Sequence, residues 1–183
     1  NPIMLATALS LVMLGFGGAG GLINMSYQLD ASVHNTQWIT GHFHLIFGGA
    51  IVIMYFAIAY DLWPHLTGRA LESVGLMRAQ LWLWFIGMIV TTFPWHYVGI
   101  LGMPRRMAFY DYANPAISPQ AFSVAMSAIG GVILLASGIL FLIVLVRGQF
   151  GSLREAGPYR FSVPLHMPAR FRSRSIPSGC GWR

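Results

Sequence analysis

The sequence predicts an all-α integral membrane protein with four transmembrane helices. Hydrophobic residues make up 56% of the 183 residues and charged residues only 9%, whereas soluble domains carry about 25% charged residues. Four blocks contain no Asp, Glu, Lys or Arg, namely residues 1–29, 31–60, 79–104 and 112–146. Since a membrane span needs about 20 apolar residues, each block can supply one. This composition excludes an ordinary soluble globule and a disordered chain, and the single cysteine, Cys180, excludes an intrachain disulfide and a cysteine-based metal site.

The spans are predicted, in order, at residues 2–23, 36–60, 80–97 and 120–146. The first is rich in small residues, which let another helix or a flat cofactor approach the backbone closely, and helix packing is the simpler interpretation. The third contains Pro94, where a kink is expected. Because the chain starts inside or next to a span with no signal peptide before it, we expect it to be the middle of a longer polypeptide.

The arginines predict the orientation in the membrane. Residues 147–183 carry seven arginines and one glutamate, and the rest of the chain is neutral. Since cytoplasmic segments carry the excess of basic residues, we expect the C-terminal end in the cytoplasm. Residues 1–167 are assigned to the membrane segment, and the basic residues 168–183 to a disordered tail rather than a lipid or nucleic-acid patch. Arg105 and Arg106 then lie on the outer side, where a basic pair calls for an anionic partner.

Two histidines inside the second span are candidate cofactor ligands. Ionisable groups within spans are costly and mark function by default. His42 and His44 are two residues apart, which is about 200° around a helix and about 3 Å along it, so they face opposite sides at nearly the same depth. They cannot chelate one ion. Two separate partners, one for each histidine on each side of the helix, fit better, and the alternative is that each ring only hydrogen-bonds to a neighbouring helix. Gly41 would leave room for a flat group such as haem, which takes an axial His and whose propionates could pair with Arg105 and Arg106.

Three segments together resemble subunit I of the haem–copper oxygen reductases. The tenth helix of that subunit is similar to VHNTQWITGHFHL, the end of the eleventh and its outer loop to FPWHYVGILGMPRRMAFYDY, and the end of the ninth to LGFGGAGGLINMSYQLD. The HNT and W-x-x-G patterns most resemble the B-type branch of cytochrome c oxidases. The resemblance covers about residues 1–166. It implies helices nine to twelve of a bundle with twelve or more.

The resemblance implies a role for each residue at a matching position. His42 would be the catalytic proximal ligand of the high-spin haem iron, and His44 an axial ligand of the low-spin haem iron. Arg105 and Arg106 would bind haem propionates. Asp30 would lie near a propionate of the high-spin haem.

His34 matches a position near an outer metal ion, usually magnesium. The family's common Asp is here Asn35, and a neutral amide is a weaker ligand for a hard cation. The outer magnesium is therefore not expected, and the alternative for His34 is a hydrogen bond to a propionate. For His96, which also matches a recurring position, structural hydrogen bonding is the preferred interpretation.

By resemblance, the parent subunit belongs to a terminal respiratory oxidase of the cytochrome c oxidase type, which reduces oxygen to water and translocates protons. It would hold two haems and a copper ion whose ligands are absent from this sequence. The implied partners are the remaining helices of subunit I, subunit II, cytochrome c or another electron donor acting through subunit II, and the lipid bilayer, but no nucleic acid. The expected location is a bacterial or archaeal plasma membrane. The isolated chain is expected to be inactive.

Three other functions are compatible with parts of the pattern. A nitric oxide reductase-like member of the same superfamily would differ in helices that precede this sequence. A two-haem carrier of the cytochrome b kind would place pairs of His along one helix, but residue 56 is Phe and no second His lies below His42 or His44. A non-catalytic membrane protein would have no use for His-x-His beside glycine, although a non-catalytic haem-binding fragment would.

Overall fold

In the computed structural model, which describes residues 1–153, six α-helices follow one another. They are α1 (Pro2–Met25), α2 (Tyr27–Val33), α3 (Gln37–His44), α4 (Val52–Thr67), α5 (Val74–Ile100) and α6 (Ala121–Gly148). A π-helical turn, Leu45–Ile51, joins α3 to α4, and a short 3-10 turn, Ser118–Gln120, precedes α6. The described part of the chain contains two isolated β-bridges and no strand. The tail predicted at residues 168–183 lies outside it.

Four helical stretches are long and apolar enough to cross a membrane: Pro2–Met25, Gln37–Thr67, Val74–Ile100 and Ser118–Gly148. The prediction of an all-α chain with four transmembrane helices is therefore confirmed. All four helical stretches extend beyond the predicted spans, the second and third furthest, because apolar composition marks the depth of the hydrocarbon layer and not the helix ends. The second stretch continues past Asp61 to Gly68, whose φ of 66° ends the helix, and the third begins before the exposed Arg78.

Helix α5 occupies the middle of the arrangement. It packs along α6 on one side and against α3 on the other, while α1 packs against the π-helical turn and α4. The buried apolar cluster includes Met13 of α1, Ile53 of α4 and Leu81 of α5. Helix α3 is thus enclosed between α1 and α5, and any side chain on it faces one helix, the other, or an open side.

Small residues allow these helices to approach closely. A methyl group at Gly17 of α1 would lie 2.5 Å from Cγ1 of Ile46, and one at Gly49 would lie 2.6 Å from the sulfur of Met13. Gly99 of α5 packs directly on the backbone of Trp38. Since lipid is as apolar as the helices, such close packing replaces the hydrophobic effect as the source of association.

Buried polar side chains tie the spans together. The Tyr60 hydroxyl donates to Oε1 of Gln80 at 2.9 Å, and Nε2 of Gln80 donates to Oγ of Ser137 at 3.1 Å. Trp84 Nε1 donates to the Gly48 carbonyl at 2.8 Å, within the π-helical turn. Each bond satisfies a polar atom that would otherwise be stranded among apolar groups.

Candidate functional site

His42 and His44 lie against different helices. A methyl group at Gly20 of α1 would lie 3.1 Å from Nδ1 of His42, and one at Gly21 would lie 3.5 Å from its Cε1. The His44 ring packs edge-on against Trp95 of α5, with ring centroids 5.1 Å apart. The two imidazoles, two residues apart on one helix, therefore face different neighbouring helices.

A hydrogen bond fixes the orientation and the tautomer of His44. Its Nδ1 lies 2.8 Å from the carbonyl oxygen of Thr40, one turn earlier. A carbonyl only accepts, so Nδ1 must carry the proton, and Nε2 keeps a free lone pair. Histidines that bind metals commonly donate their other ring N–H to a carbonyl in this manner.

Within the described residues, His42 is held by packing against α1. Its Nδ1 is buried and has no hydrogen-bond partner within residues 1–153. Buried polar atoms without a partner are rare. His42 is thus a ring held in place by the glycine-rich face of α1, with hydrogen-bonding capacity left over.

The structural reason for a glycine at position 41 differs from the predicted one. The sequence suggested that its missing side chain leaves room for a flat group. A methyl group there would instead lie 2.7 Å from Nδ1 of His96 and 3.0 Å from the carbonyl oxygen of Thr92, both on α5. This part of the interpretation was wrong, because the space beside Gly41 is filled by the neighbouring helix. His96 itself donates from Nδ1 to the Thr92 carbonyl at 2.7 Å and packs edge-on against Trp38, which is the structural role expected for it.

An exposed aromatic pair, Phe43 and Phe47, lies beside His44. Phe43 is 51% exposed and stacks on Phe47, which is 53% exposed, with centroids 4.8 Å apart. Its ring also contacts His44 edge-on at 5.4 Å. An apolar, flat surface beside two imidazoles suits the face or edge of a planar ligand.

The π-helical turn starts directly after His44, and no sequence pattern predicts it. Such turns occur frequently at functional sites. Two side chains from other helices support it, since Ser10 Oγ donates to the Ala50 carbonyl at 2.8 Å and Trp84 donates to that of Gly48. The only sequence signal is the pair Gly48–Gly49, which is too common in membrane helices to indicate a π turn.

The loop between α5 and α6 folds back onto the residues that precede α3. Thr36 and Pro104 form an isolated antiparallel bridge. The main-chain N–H of Gln37 donates to the main-chain carbonyl of Met103 at 2.9 Å, and the main-chain N–H of Arg105 donates to the main-chain carbonyl of Asn35 at 3.0 Å. The arginine pair is thereby fixed at the N-terminal end of the helix that carries His42 and His44, although more than sixty residues separate the two segments in the sequence.

Arg105 and Arg106 each have a feature that is typical of a ligand site. Nε of Arg105 is buried and has no acceptor in the part of the chain that the structure describes. Arg106 has a φ of 63°, in the left-handed region. That conformation costs a residue other than glycine about 1–3 kcal/mol and tends to occur at ligand sites. Carboxylates are the partners that guanidinium groups bind best.

Asp30 and His34 form a pair of their own at α2. Nδ1 of His34 lies 2.9 Å from Oδ2 of Asp30, one helical turn earlier, and the His34 side chain is 59% exposed. Within residues 1–153, no three His, Cys, Asp or Glu side chains come together as a metal site. An outer metal ion would therefore need ligands from another segment or subunit.

These features fit haem groups. A haem needs an axial imidazole with a free nitrogen, which the His44 tautomer provides, and an apolar flat surface, which Phe43 and Phe47 provide. Its propionates need cationic donors, and Arg105 offers an unpaired one. The partnerless Nδ1 of His42 is also compatible with a ring whose second partner is supplied by the complete site.

Comparison with known proteins agrees with this chemistry. The family model of cytochrome c and quinol oxidase polypeptide I matches residues 1–164. Cytochrome c oxidase subunit 1 of Thermus thermophilus is 37% identical over 171 residues, which are 90% of this chain and 29% of that protein. The corresponding subunit of Synechocystis is 35% identical over 161 residues, which cover 87% of this chain and 28% of that protein.

A solved structure shows the same arrangement of helices. The cryo-EM structure of a heme-copper terminal oxidase dimer matches with a TM-score of 0.75 and 25% sequence identity, over 84% of this chain and 28% of that one. The chain thus spans less than a third of the length of these relatives. The B-type branch stays a prediction. The resemblance that the sequence motifs indicated is confirmed, and the chain belongs to the cytochrome c and quinol oxidase polypeptide I family.

Proposed function

We propose that this chain provides one histidine ligand to each of two haems in the catalytic subunit of a terminal respiratory oxidase. His42 would hold the high-spin haem, which would supply the reduction of oxygen to water, and His44 would hold the low-spin haem, which would supply electron transfer. The observation that carries the proposal is the placement of the two imidazoles on α3, against α1 and α5 respectively. The family membership supports the same reaction, coupled to proton translocation.

In this mechanism the chain's residues orient ligands and hold charge. When bound, the haems, with a copper ion held by helices outside this sequence, supply the redox chemistry. The Thr40 carbonyl keeps the His44 proton on Nδ1 and so keeps Nε2 available. The backbone of α1 at Gly20 stops the His42 ring from turning away. Phe43, which stands between the two histidines in the sequence, would fill the gap between the haems with an apolar ring.

The outer residues would hold the negative charge of the propionates. Arg105 and Arg106 would neutralise these carboxylates at the end of α3, to which their loop is bonded. Asp30 and His34, already 2.9 Å apart, would hold a proton between Oδ2 and Nδ1 near a propionate of the high-spin haem. No magnesium is proposed at His34.

The remaining partners follow from membership of the family. We propose that the chain assembles with the other helices of subunit I and with subunit II, through which cytochrome c or another donor supplies electrons. The lipid bilayer would be a bacterial or archaeal plasma membrane, with the C-terminal end in the cytoplasm. The excess of arginine in residues 147–183 supports this orientation.

The test is to replace each histidine by alanine in the full-length subunit and to record the reduced spectrum with and without carbon monoxide. His42→Ala should abolish the signal of the ligand-binding haem and leave most of the low-spin band. His44→Ala should do the reverse. His65→Ala, at the opposite end of the same span and with its Nδ1 bonded to the Asp61 carbonyl in the same manner, is the matched control and should keep both bands. If both bands survive the first two substitutions, the assignment is wrong.

A further inference from the structure

The hydroxyl of Tyr110 links the loop between α5 and α6 to the start of α3. It accepts a hydrogen bond from Nε2 of Gln37 at 2.6 Å and donates to the Pro104 carbonyl at 2.7 Å. A phenol has a single proton. Because that proton is given to Pro104, the hydroxyl must accept from Gln37, and this fixes which way the Gln37 amide points.

The two ends of this link are the positions that matter for the site. Gln37 is the first residue of α3, the helix that carries both histidines. Pro104 directly precedes the arginine pair. One half-buried hydroxyl therefore spans the gap between the ligand-bearing helix and the arginines, in addition to the two backbone bonds at Asn35 and Met103.

The surroundings show that this link holds a constrained geometry. Arg106 adopts a left-handed backbone conformation directly after the linked segment, and such a conformation persists only where neighbouring contacts over-determine it. Gln37 leaves its Oε1 buried without a donor within residues 1–153. A glutamine side chain that served only for packing would not leave a buried acceptor without a donor. The hydrogen bond to Tyr110 is therefore the interaction that explains the glutamine at position 37.

Building on the proposed function, we propose that Tyr110, acting through Gln37, is a positioning residue that sets where Arg105 and Arg106 lie relative to the haem propionates. Positive charge held close to a propionate disfavours the oxidised, more positive haem and raises its midpoint potential. Releasing the loop lets water and counter-ions replace the guanidinium groups. The midpoint potential should then fall.

The experiment uses the purified oxidase complex with the full-length subunit. Tyr110→Phe should retain both haems, lower the midpoint potential of the low-spin haem in a spectroelectrochemical titration, and shift the propionate carboxylate bands in the redox infrared difference spectrum. Tyr112→Phe is the matched control. Tyr112 lies in the same loop, with its ring 6.4 Å from that of Tyr110, and its hydroxyl makes no hydrogen bond within the described residues, so this variant should match the wild type.

Gln37→Leu is the second variant, and it decides the question if Tyr110→Phe does not assemble. It should shift the potential and the carboxylate bands in the same direction, and the double variant should shift them no further than the larger single change. Wild-type values in both variants, with both haems present, would overturn the positioning role and leave the proposed function standing. Retention of both haems after the His42 and His44 substitutions would instead overturn the proposed function.

Discussion

The ring of His42 rests on the backbone of α1 at a position where only glycine fits without adjustment. A methyl group at Gly20 would approach Nδ1 of His42 to 3.1 Å, so the ring or the helix would have to move by a few tenths of an ångström. At Gly18, on the other face of the same helix, a methyl group would meet nothing within 4 Å. Overpacking of this kind costs about 1–3 kcal/mol.

This difference predicts a selective effect at the residue scale. In the full-length subunit, Gly20→Ala should change carbon monoxide binding to the high-spin haem several-fold, because it displaces the proximal ligand, and should leave the low-spin band unchanged. Flash photolysis of the carbon monoxide complex measures the effect. Gly18→Ala serves as the control and should bind carbon monoxide as the wild type does. Equal behaviour of the two variants would mean that His42 does not rest on α1 in the assembled protein.

Between elements, a buried hydrogen-bond network ties α4, α5 and α6. The side chains of Gln80 and Ser137 are fully buried. The Ser137 hydroxyl accepts from Nε2 of Gln80 at 3.1 Å and donates to the main-chain carbonyl of Gln80 at 2.8 Å. Removing the serine hydroxyl leaves a buried amide donor without a partner. In membrane proteins such bonds contribute about 0.6–2 kcal/mol.

Ser137→Ala should therefore lower the thermal unfolding temperature of the purified complex by a few degrees, without altering the haem spectra. Ser123→Ala, on the same helix, removes a hydroxyl that makes no hydrogen bond within residues 1–153, and it should leave the unfolding temperature unchanged. A loss of stability of the same size in both variants would show that the network at Gln80 adds nothing specific.

The loop between α4 and α5 is bonded to the segment after α6. The Glu72 carboxylate accepts from Oγ of Ser152 at 2.6 Å and from its amide at 3.3 Å. These two hydrogen bonds lower the pKa of Glu72 below its ordinary value. Because the pKa is lower in the folded state, the contribution to local stability is complete above the unfolded pKa and is lost as the pH falls through the folded one.

Amide hydrogen exchange around Ser152 should thus accelerate at acid pH beyond the intrinsic pH dependence of exchange. The effect should be small, because Glu72 is exposed and water screens its charge. In Glu72→Gln, whose side-chain carbonyl accepts without titrating, this extra acceleration should vanish. If it persists in Glu72→Gln, another group causes it.

At the scale of the whole molecule, the sequence predicted features that depend on neighbouring residues and did not predict contacts between residues distant along the chain. Hydropathy and charge are local properties, so the sequence predicted four spans, and helical geometry alone placed His42 and His44 on opposite faces. The contact of His96 with Gly41 and the bridge between Thr36 and Pro104 join segments that are distant along the chain. No periodicity in the sequence reveals such contacts. The same limit explains why the arginines were predicted to be near the site but the Tyr110 link that holds their loop was not.

The last prediction concerns the chain on its own. Within residues 1–153, α3 offers one histidine toward α1 and one toward α5, so each of two haems would receive one imidazole from this helix. A six-coordinate low-spin haem needs two axial ligands. The isolated chain in lipid vesicles, given haem, should therefore show no six-coordinate signature and no oxygen turnover. Added imidazole should convert any bound five-coordinate haem to the six-coordinate form, with a shifted Soret band, and His44→Ala should reduce that fraction. A six-coordinate spectrum without added imidazole would show that this segment builds a complete haem site alone.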